Sequence, residues 1–158
     1  MKLAATLFLK AVLVLIGIGA LAFLLWEPHV EGRNVNSTAF EIYFHDPFLA
    51  YAYIGSTPFF VGLYHAFKVL TYAGRNEEFS ARAVRSARII KYCALLVIAF
   101  VAGGEVYIIL HESDDRAGGV AMGVFITFAS VIVATAAALL ERALQRAVDI
   151  KSEHDLTV

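Results

Sequence analysis

Three histidines stand near acidic residues in the segments that border the long apolar stretches of the chain: His29, His45 and His111. Imidazole nitrogens and carboxylate oxygens together can hold a divalent metal ion, and histidine can sense pH because its ordinary pKa is about 6.5. The spacing of the three fits no established metal-binding motif, and histidines in loops are commonly just solvated. They are candidate metal ligands by residue type alone, and we expect no cofactor.

Two further ionisable residues lie inside apolar stretches. Glu105 follows Gly103 and Gly104, and a charged residue at the centre of a membrane helix costs roughly 2.5–3.5 kcal/mol. The glycines would let water or a neighbouring helix reach the carboxylate, so Glu105 is either functional or a tolerated residue near the outer end of its helix. His65 lies one turn before Lys68. A hydrogen-bonded helix-end histidine is the simpler interpretation there, and a proton relay is the alternative.

Catalytic chemistry has little support in the sequence. It contains no P-loop, dinucleotide-binding glycine pattern, HExxH, CxxC or GxSxG motif. The single cysteine, Cys93, excludes an internal disulfide and lies in an apolar stretch, where it is expected to pack as a small residue. We therefore predict a protein that is not an enzyme.

The elements that must position these residues are membrane helices. Apolar residues make up 59% of the chain and charged residues 17%, against about 45–50% and about 25% in soluble domains. A helix needs about 20 mostly apolar residues to cross a bilayer. Four spans are predicted within one membrane domain, residues 1–158, at about 3–26, 47–71, 89–111 and 117–140. The expected fold is all-α: a four-transmembrane-helix bundle with an amphipathic cytoplasmic C-terminal helix extension, residues 141–158.

Local signals refine this prediction. Asp46 followed by Pro47 is typical of an N-cap and a first helical residue, and a short interfacial helix is plausible just before them. Ser80 is a candidate N-cap for the helix that leads into the third span. Gly119 and Gly123 have the spacing that lets membrane helices approach closely.

Pro58 lies near the middle of the second span. Proline removes the hydrogen bond to the carbonyl four residues earlier, here that of Ile54, and is expected to kink the helix. Ser56 or Thr57 could satisfy the freed carbonyl. The bend is either a packing feature or a hinge beside a ligand cavity.

The charge distribution orients the spans. Of the 13 Lys and Arg residues, Arg33 and Arg116 alone fall on the side opposite the N-terminus, which leaves 13 − 2 = 11 on the N-terminal side. Cytoplasmic loops carry the Lys and Arg excess. We therefore predict a multi-pass protein of the bacterial cytoplasmic (inner) membrane with both termini in the cytoplasm. The net charge of −1 gives no reason to expect direct nucleic-acid binding.

Two predicted cytoplasmic elements are candidates for contacts. Arg82, Arg85 and Arg88 form a basic patch that either holds anionic lipid headgroups or docks an acidic partner. In the tail, apolar residues follow a spacing of three to four over 140–148. This stripe either lies against the cytoplasmic ends of the bundle or faces a partner.

The last eight residues, 151–158, resemble the end of a bacterial membrane family without assigned function, the YoaS-like family or domain-of-unknown-function-2975 family. His154 stands where this family is expected to have Asn. Other segments that look similar carry apolar and aromatic residues in the second span and a short motif before the basic helix: Pro58-Phe59-Phe60, Leu63-Tyr64, Phe67 and Glu78-Phe79-Ser80.

The resemblance implies a four-span protein. Genes of this family often lie beside one for a small helix-turn-helix regulator of the Cro/C1 type, which implies a membrane protein that holds or controls such a regulator. Glu153, Asp155 and Leu156 of the tail are then candidate contacts. The two acidic residues could pair with this protein's own Arg82 or Arg85, or with the basic DNA-binding face of the regulator.

Two functions compete. The first is a regulatory membrane protein that binds a small DNA-binding protein through the 72–88 loop and the 141–158 tail. The second is an oligomeric small transporter or channel-like protein that uses Glu105 and the Pro58 kink. Four spans are few for a pore, so the second function needs a homo-oligomer. We favour the first.

Overall fold

The computed structural model describes residues 3–30, 36–75, 77, 79–110 and 116–155. These residues form five α-helices and no β-strand, which confirms the all-α prediction. The helices are α1 (Leu3–Val30), α2 (Ala39–His45), α3 (Pro47–Gly74), α4 (Ala81–Leu110) and α5 (Arg116–Asp155).

Capping side chains determine where three of the helices begin. The short helix α2 starts with a capping box in which the Thr38 backbone N–H donates to Glu41 Oε2 at 2.9 Å and the Glu41 N–H donates to Thr38 Oγ1. Asp46 caps α3 and accepts hydrogen bonds from the two N–H groups that follow Pro47. The Ser80 hydroxyl accepts from the third residue along, Ala83, at the start of α4. The predicted short helix before Asp46 and both predicted N-caps are confirmed.

Pro58 lies inside α3, which continues through it. The hydroxyls of Ser56 and Thr57 both donate to the carbonyl of Tyr53, at 2.8 and 3.3 Å. We expected one of them to satisfy the carbonyl of Ile54, which Pro58 leaves without its helical donor, so that detail was wrong. A hydroxyl reaches back three or four residues, so the Ile54 carbonyl was within reach of Thr57 alone, and Thr57 instead bonds four residues back, to Tyr53.

Within the described residues, three helices are long and apolar enough to cross a membrane: Ala4–Val30 in α1, Ala81–Leu110 in α4 and Arg116–Glu153 in α5. The second predicted span, α3, is not among them, although its 28 residues give it the required length. Its mean hydropathy is lowered by four tyrosines, Pro58, His65, Lys68 and three Ser or Thr residues. Length and composition therefore support three of the four predicted spans.

Neighbouring helices pack antiparallel. Near the N-terminal end of α1, a Cβ placed on Gly74 would lie 3.2 Å from Thr6, so the end of α3 approaches the start of α1. At the other end of this pair, the Tyr53 hydroxyl donates to the Leu24 carbonyl at 3.2 Å. Helix α4 reverses direction again, because Tyr51 near the start of α3 donates to a carbonyl late in α4.

The long helices form a row in chain order. Extensive packing occurs between α1 and α3, between α3 and α4, and between α4 and α5. No other pair of long helices packs extensively in the described part of the chain. This differs from a bundle in which every helix has two neighbours, since α1 and α5 each lie at one end of the row.

A buried apolar cluster lies where the beginning of α4 packs against the C-terminal part of α5. It consists of Ala83, Val84, Ala87 and Leu144, with Tyr72 and Val148 packed against it. Elsewhere large apolar side chains are mostly exposed, as in α1, where Phe8 and Leu15 are each 67% exposed. Small residues at helix contacts and large apolar residues on the outside are typical of a protein surrounded by lipid.

Candidate functional site

The basic patch of α4 is exposed because the opposite faces of the same helix are buried. Ala83, Val84, Ser86 and Ala87 are buried, and each arginine at 82, 85 and 88 lies between these positions and is exposed. A helix of 3.6 residues per turn cannot place both sets on one face. The predicted patch therefore does lie on a surface that is open to ligands.

The amphipathic part of α5 lies against α4. Leu144 is 8% exposed and Val148 packs on the same cluster. Of the two interpretations of the tail, the structure supports the one in which the stripe covers the end of the neighbouring helices. Beyond it the helix continues with exposed residues, and Ile150 is 58% exposed. The part of the tail that is open to a partner is therefore the charged surface and the last turns.

Glu141 joins the two helices at this end. Its Oε1 accepts a hydrogen bond from Arg88 Nε at 2.6 Å, and its Oε2 accepts one from Lys91 Nζ at 2.7 Å. The carboxylate side chain is 13% exposed, while the arginine and lysine side chains are 53% and 25% exposed. Charge-assisted bonds of this length fix both cations in place.

Sequence reasoning missed this ion-pair cluster, although a signal was available. Lys91 is the last charged residue before the apolar stretch of α4, and Glu141 is the first charged residue after the apolar stretch of α5. In two antiparallel membrane helices, such residues border the membrane on the same side. Their opposite charges then predict a pair.

A groove of ≈ 410 Å³ runs beside the ion-pair cluster. Its charged lining consists of Arg88, Lys91, Glu141, Arg142 and Arg146. We call it the basic groove. Ala138 and Gln145 complete the lining. A second groove, of ≈ 430 Å³, shares Arg88 and Gln145 with the basic groove and is also lined by Arg85 and Tyr92.

His65 lies in the same half of the molecule. Its Nδ1 shares a hydrogen bond of 3.4 Å with Ser86 Oγ, which is itself buried. This contact agrees with the interpretation of a hydrogen-bonded helix-end histidine. Ser86 and Glu105 are 19 residues apart on α4, a rise of about 28 Å. His65 and Glu105 therefore lie too far apart to pair.

Glu105 faces α5 at the opposite end of the helix pair. A Cβ placed on Gly123 would lie 2.8 Å from the Glu105 Cγ and 2.9 Å from its Cδ, so only glycine leaves room for this carboxylate. Gly119 similarly faces Ile108, which confirms the predicted close approach at both glycines. Oε1 of Glu105 is buried and has no hydrogen-bond partner among the described residues.

The three histidines that are candidate metal ligands do not form a metal site within the described residues. His29 donates from Nδ1 to the Leu25 carbonyl at 3.1 Å and lies 5.9 Å from the Tyr43 ring. His45 lies against the ring of Phe40. No group of three or more potential ligands is found in the part of the chain that the structure describes, and His111 lies outside it.

The end of the tail is described in part. Glu153 is exposed in the last turns of α5, and the helix ends at Asp155, whose side chain lies outside the described part. Leu156 also lies outside the described residues. The candidate contacts of the tail with Arg82 or Arg85 stay a prediction.

Comparison with known proteins gives one family. The sequence model of a family described as "Protein of unknown function (DUF2975)" matches residues 11–158. A protein of Bacillus subtilis (strain 168), described as "Uncharacterized membrane protein YoaS", is 41% identical over 156 residues. The alignment covers 98% of this chain and 98% of the relative. No solved structure matches.

Proposed function

The chain belongs to the DUF2975 family of membrane proteins, and from this premise we propose that it is a non-enzymatic regulatory protein of the bacterial inner membrane. Its cytoplasmic face binds, and thereby sequesters, a small helix-turn-helix regulator of the Cro/C1 type. The observation that carries this proposal is the joint end of α4 and α5, which is packed, charged on its outside and longer than a membrane requires.

Helix length supports a projection into the cytoplasm. The 40 residues of α5 correspond to about 60 Å, whereas the hydrocarbon core is about 30 Å thick and the bilayer with its headgroups about 40–45 Å. An upright helix of this length extends about 15–20 Å past the headgroups. The excess of Lys and Arg at this end supports a cytoplasmic location for it.

In this proposal α3 is the fourth span. Its polar side chains are satisfied by its neighbours, since Tyr51 donates to the Phe100 carbonyl at 2.8 Å and Tyr53 to the Leu24 carbonyl at 3.2 Å. A tyrosine with a bonded hydroxyl can be placed inside a membrane protein at little cost. Because α3 packs between two helices that are apolar enough to cross, it shares their depth. Four antiparallel spans then leave both termini in the cytoplasm.

The charges at the projecting end suit a protein partner. Arg82 and Arg85 are exposed at the beginning of α4. The tail carries Glu153 and Asp155, about 10 residues after the buried Leu144. Acidic residues near the end of a helix would attract the basic face with which a regulator contacts DNA. Binding there and binding to DNA would exclude each other.

Co-purification tests this function. The full chain is extracted in mild detergent, and the product of the adjacent gene is measured in the eluate, with wild type compared against a chain that ends at Ile150. This truncation keeps Leu144 and Val148, so the apolar cluster remains. We expect recovery of the regulator to fall at least tenfold. Equal recovery, or an adjacent gene that encodes no helix-turn-helix protein, contradicts the proposal.

A point-substitution control separates charge from length. The double variant Glu153→Gln with Asp155→Asn is expected to lower recovery as the truncation does. The matched control, Lys151→Gln with Ser152→Ala, alters neighbouring tail positions without removing negative charge and is expected to keep it. If the control loses the partner equally, the acidic residues are not the contact.

A second candidate function has one specific observation in its favour: the buried Oε1 of Glu105 has no hydrogen-bond partner among the residues that the structure describes. A buried carboxylate that lacks a partner is a candidate proton or cation binding group in a transporter or channel built from several copies. The test is proton or sodium flux into vesicles that contain Glu105→Gln, with Glu41→Gln as the control at an exposed carboxylate. Unchanged flux in Glu105→Gln excludes this function.

A further inference from the structure

We propose that the basic groove between α4 and α5 binds the phosphate of an anionic phospholipid at the cytoplasmic edge of the membrane. This site is independent of the regulator contact, which uses the far end of the tail. It differs from general attraction to a negative surface because it places specific side chains around one headgroup.

Charge is the first argument. The lining holds four cations and one carboxylate, a formal sum of +4 − 1 = +3. Glu141 is occupied on both oxygens by Arg88 and Lys91, so it does not neutralise the remaining two arginines. Arg142 and Arg146 make no ion pair with any described residue, and their separation of four residues puts them side by side on one helix face. Two cations that repel one another beside a cavity indicate an anionic ligand.

Donor geometry is the second argument. Arg88 uses its Nε–H for Glu141, and a guanidinium has four more N–H donors. Arg142 and Arg146 contribute two whole guanidinium groups to the groove. Planar pairs of N–H donors match the oxygens of a phosphate, and this preference distinguishes arginine from lysine. Glu141 holds Arg88 and Lys91 in place, so part of this donor set is preformed.

Depth identifies the phosphate as that of a lipid. The lining begins at Ala138, within the apolar stretch of α5, and ends at Arg146, eight residues or about 12 Å further along the helix. A phosphate at the arginines would thus have its acyl chains beside the apolar part of the same helices. Basic pockets between membrane helices on the cytoplasmic side are where anionic headgroups bind.

The test uses the full chain in mild detergent and measures retained lipid by native mass spectrometry. Phosphatidylglycerol, phosphatidylcholine and inorganic phosphate are supplied at equal concentrations. We expect an adduct with phosphatidylglycerol and none with the other two. The double variant Arg142→Gln with Arg146→Gln is expected to weaken the phosphatidylglycerol adduct by about 30-fold, from the usual effect of two basic residues at a membrane surface.

The control removes the same charge from the same side of the membrane, outside the groove. Arg75→Gln with Lys151→Gln is expected to retain the adduct within about twofold of wild type. A third variant, Arg142→Lys with Arg146→Lys, keeps the charge and loses the planar donors, and several-fold weakening is expected. If the Arg142→Gln/Arg146→Gln variant is unstable, the Arg142→Lys/Arg146→Lys variant replaces it in the comparison. The thermal transition of the lysine variant without lipid shows whether that variant is folded.

Three results overturn the proposal. Equal retention in the Arg142→Gln/Arg146→Gln variant shows that the lipid binds elsewhere. Equal loss in the Arg75/Lys151 control shows that charge alone is responsible. Displacement of the adduct by inorganic phosphate at the same concentration assigns the groove to a soluble anion.

Discussion

The substitution Leu144→Ala tests whether the joint end of α4 and α5 is packed as described. Leu144 is 8% exposed and contacts the cluster of Ala83, Val84 and Ala87. The change removes three carbon atoms, and at about 0.8 kcal/mol per buried carbon the transfer loss is about 2.4 kcal/mol. The neighbours are small and lie close to the backbone, so they cannot fill the space. We expect a loss of about 2–4 kcal/mol in the free energy of unfolding.

The chain carries its own reporter for this measurement. Cys93 is the only cysteine, is 7% exposed and lies close to Gly62 of α3. A fluorogenic maleimide reacts with this thiol when the helices separate, so its signal on heating follows unfolding. For a chain of this length, about 2–4 kcal/mol lowers the transition by roughly 5–15 °C.

A matched substitution on the same helix makes the result interpretable. Ile150 is 58% exposed, so Ile150→Ala is expected to change stability by less than about 0.5 kcal/mol. If Leu144→Ala and Ile150→Ala unfold at the same temperature, the apolar contact between α4 and α5 does not stabilise the protein. The same result would contradict the packing of α4 against α5, on which the proposed regulator contact and the proposed lipid site both depend.

Three further predictions concern other parts of the row. Gly55→Leu is expected to destabilise the α3–α4 contact by about 1–3 kcal/mol, since even a Cβ there would lie 3.1 Å from Phe100. Gly19→Leu is expected to leave the transition unchanged or raise it, because nothing lies within 4 Å, and thermal unfolding of both variants checks the pair. The backbone and hydroxyl hydrogen bonds of Thr38 lower the pKa of Glu41 below 4.5, so this carboxylate stabilises α2 above its unfolded pKa and loses that effect as pH falls through the lowered value. A carboxyl NMR titration of Glu41 with a midpoint at or above 4.5 would contradict the capping box.

Local sequence signals predicted the helix ends well because they are local. Asp46 with Pro47 and Ser80 each satisfy N–H groups within three residues, so no distant part of the chain is needed to interpret them. The two glycines of α5 were predicted from their spacing of four residues alone, although the side chains that they face belong to α4. Three of the predicted spans also meet the length and hydropathy of membrane helices.

Helix order could not be predicted in this way. In a soluble bundle the buried face of each helix is marked by its apolar residues, but here large apolar residues are exposed on every long helix. Apolar side chains face lipid as readily as they face protein, so the pattern does not identify neighbours. In α3 the polar residues mark the neighbours instead. Its tyrosines lower its mean hydropathy, but two of them donate hydrogen bonds to carbonyls of α1 and α4.

The contact between α4 and α5 carries both candidate functions, at opposite ends. Glu105 faces Gly123 at one end, and Glu141 binds Lys91 at the other, 14 residues or about 21 Å away along α4. Any substitution that loosens this contact, such as Leu144→Ala, would disturb both sites and could not separate the functions. Glu105→Gln changes one end by a single charge without altering volume. The exposed groove and tail variants change only the other end. A regulator that is lost with the tail variants and kept with Glu105→Gln would therefore assign the function to the Glu141 end of the helix pair.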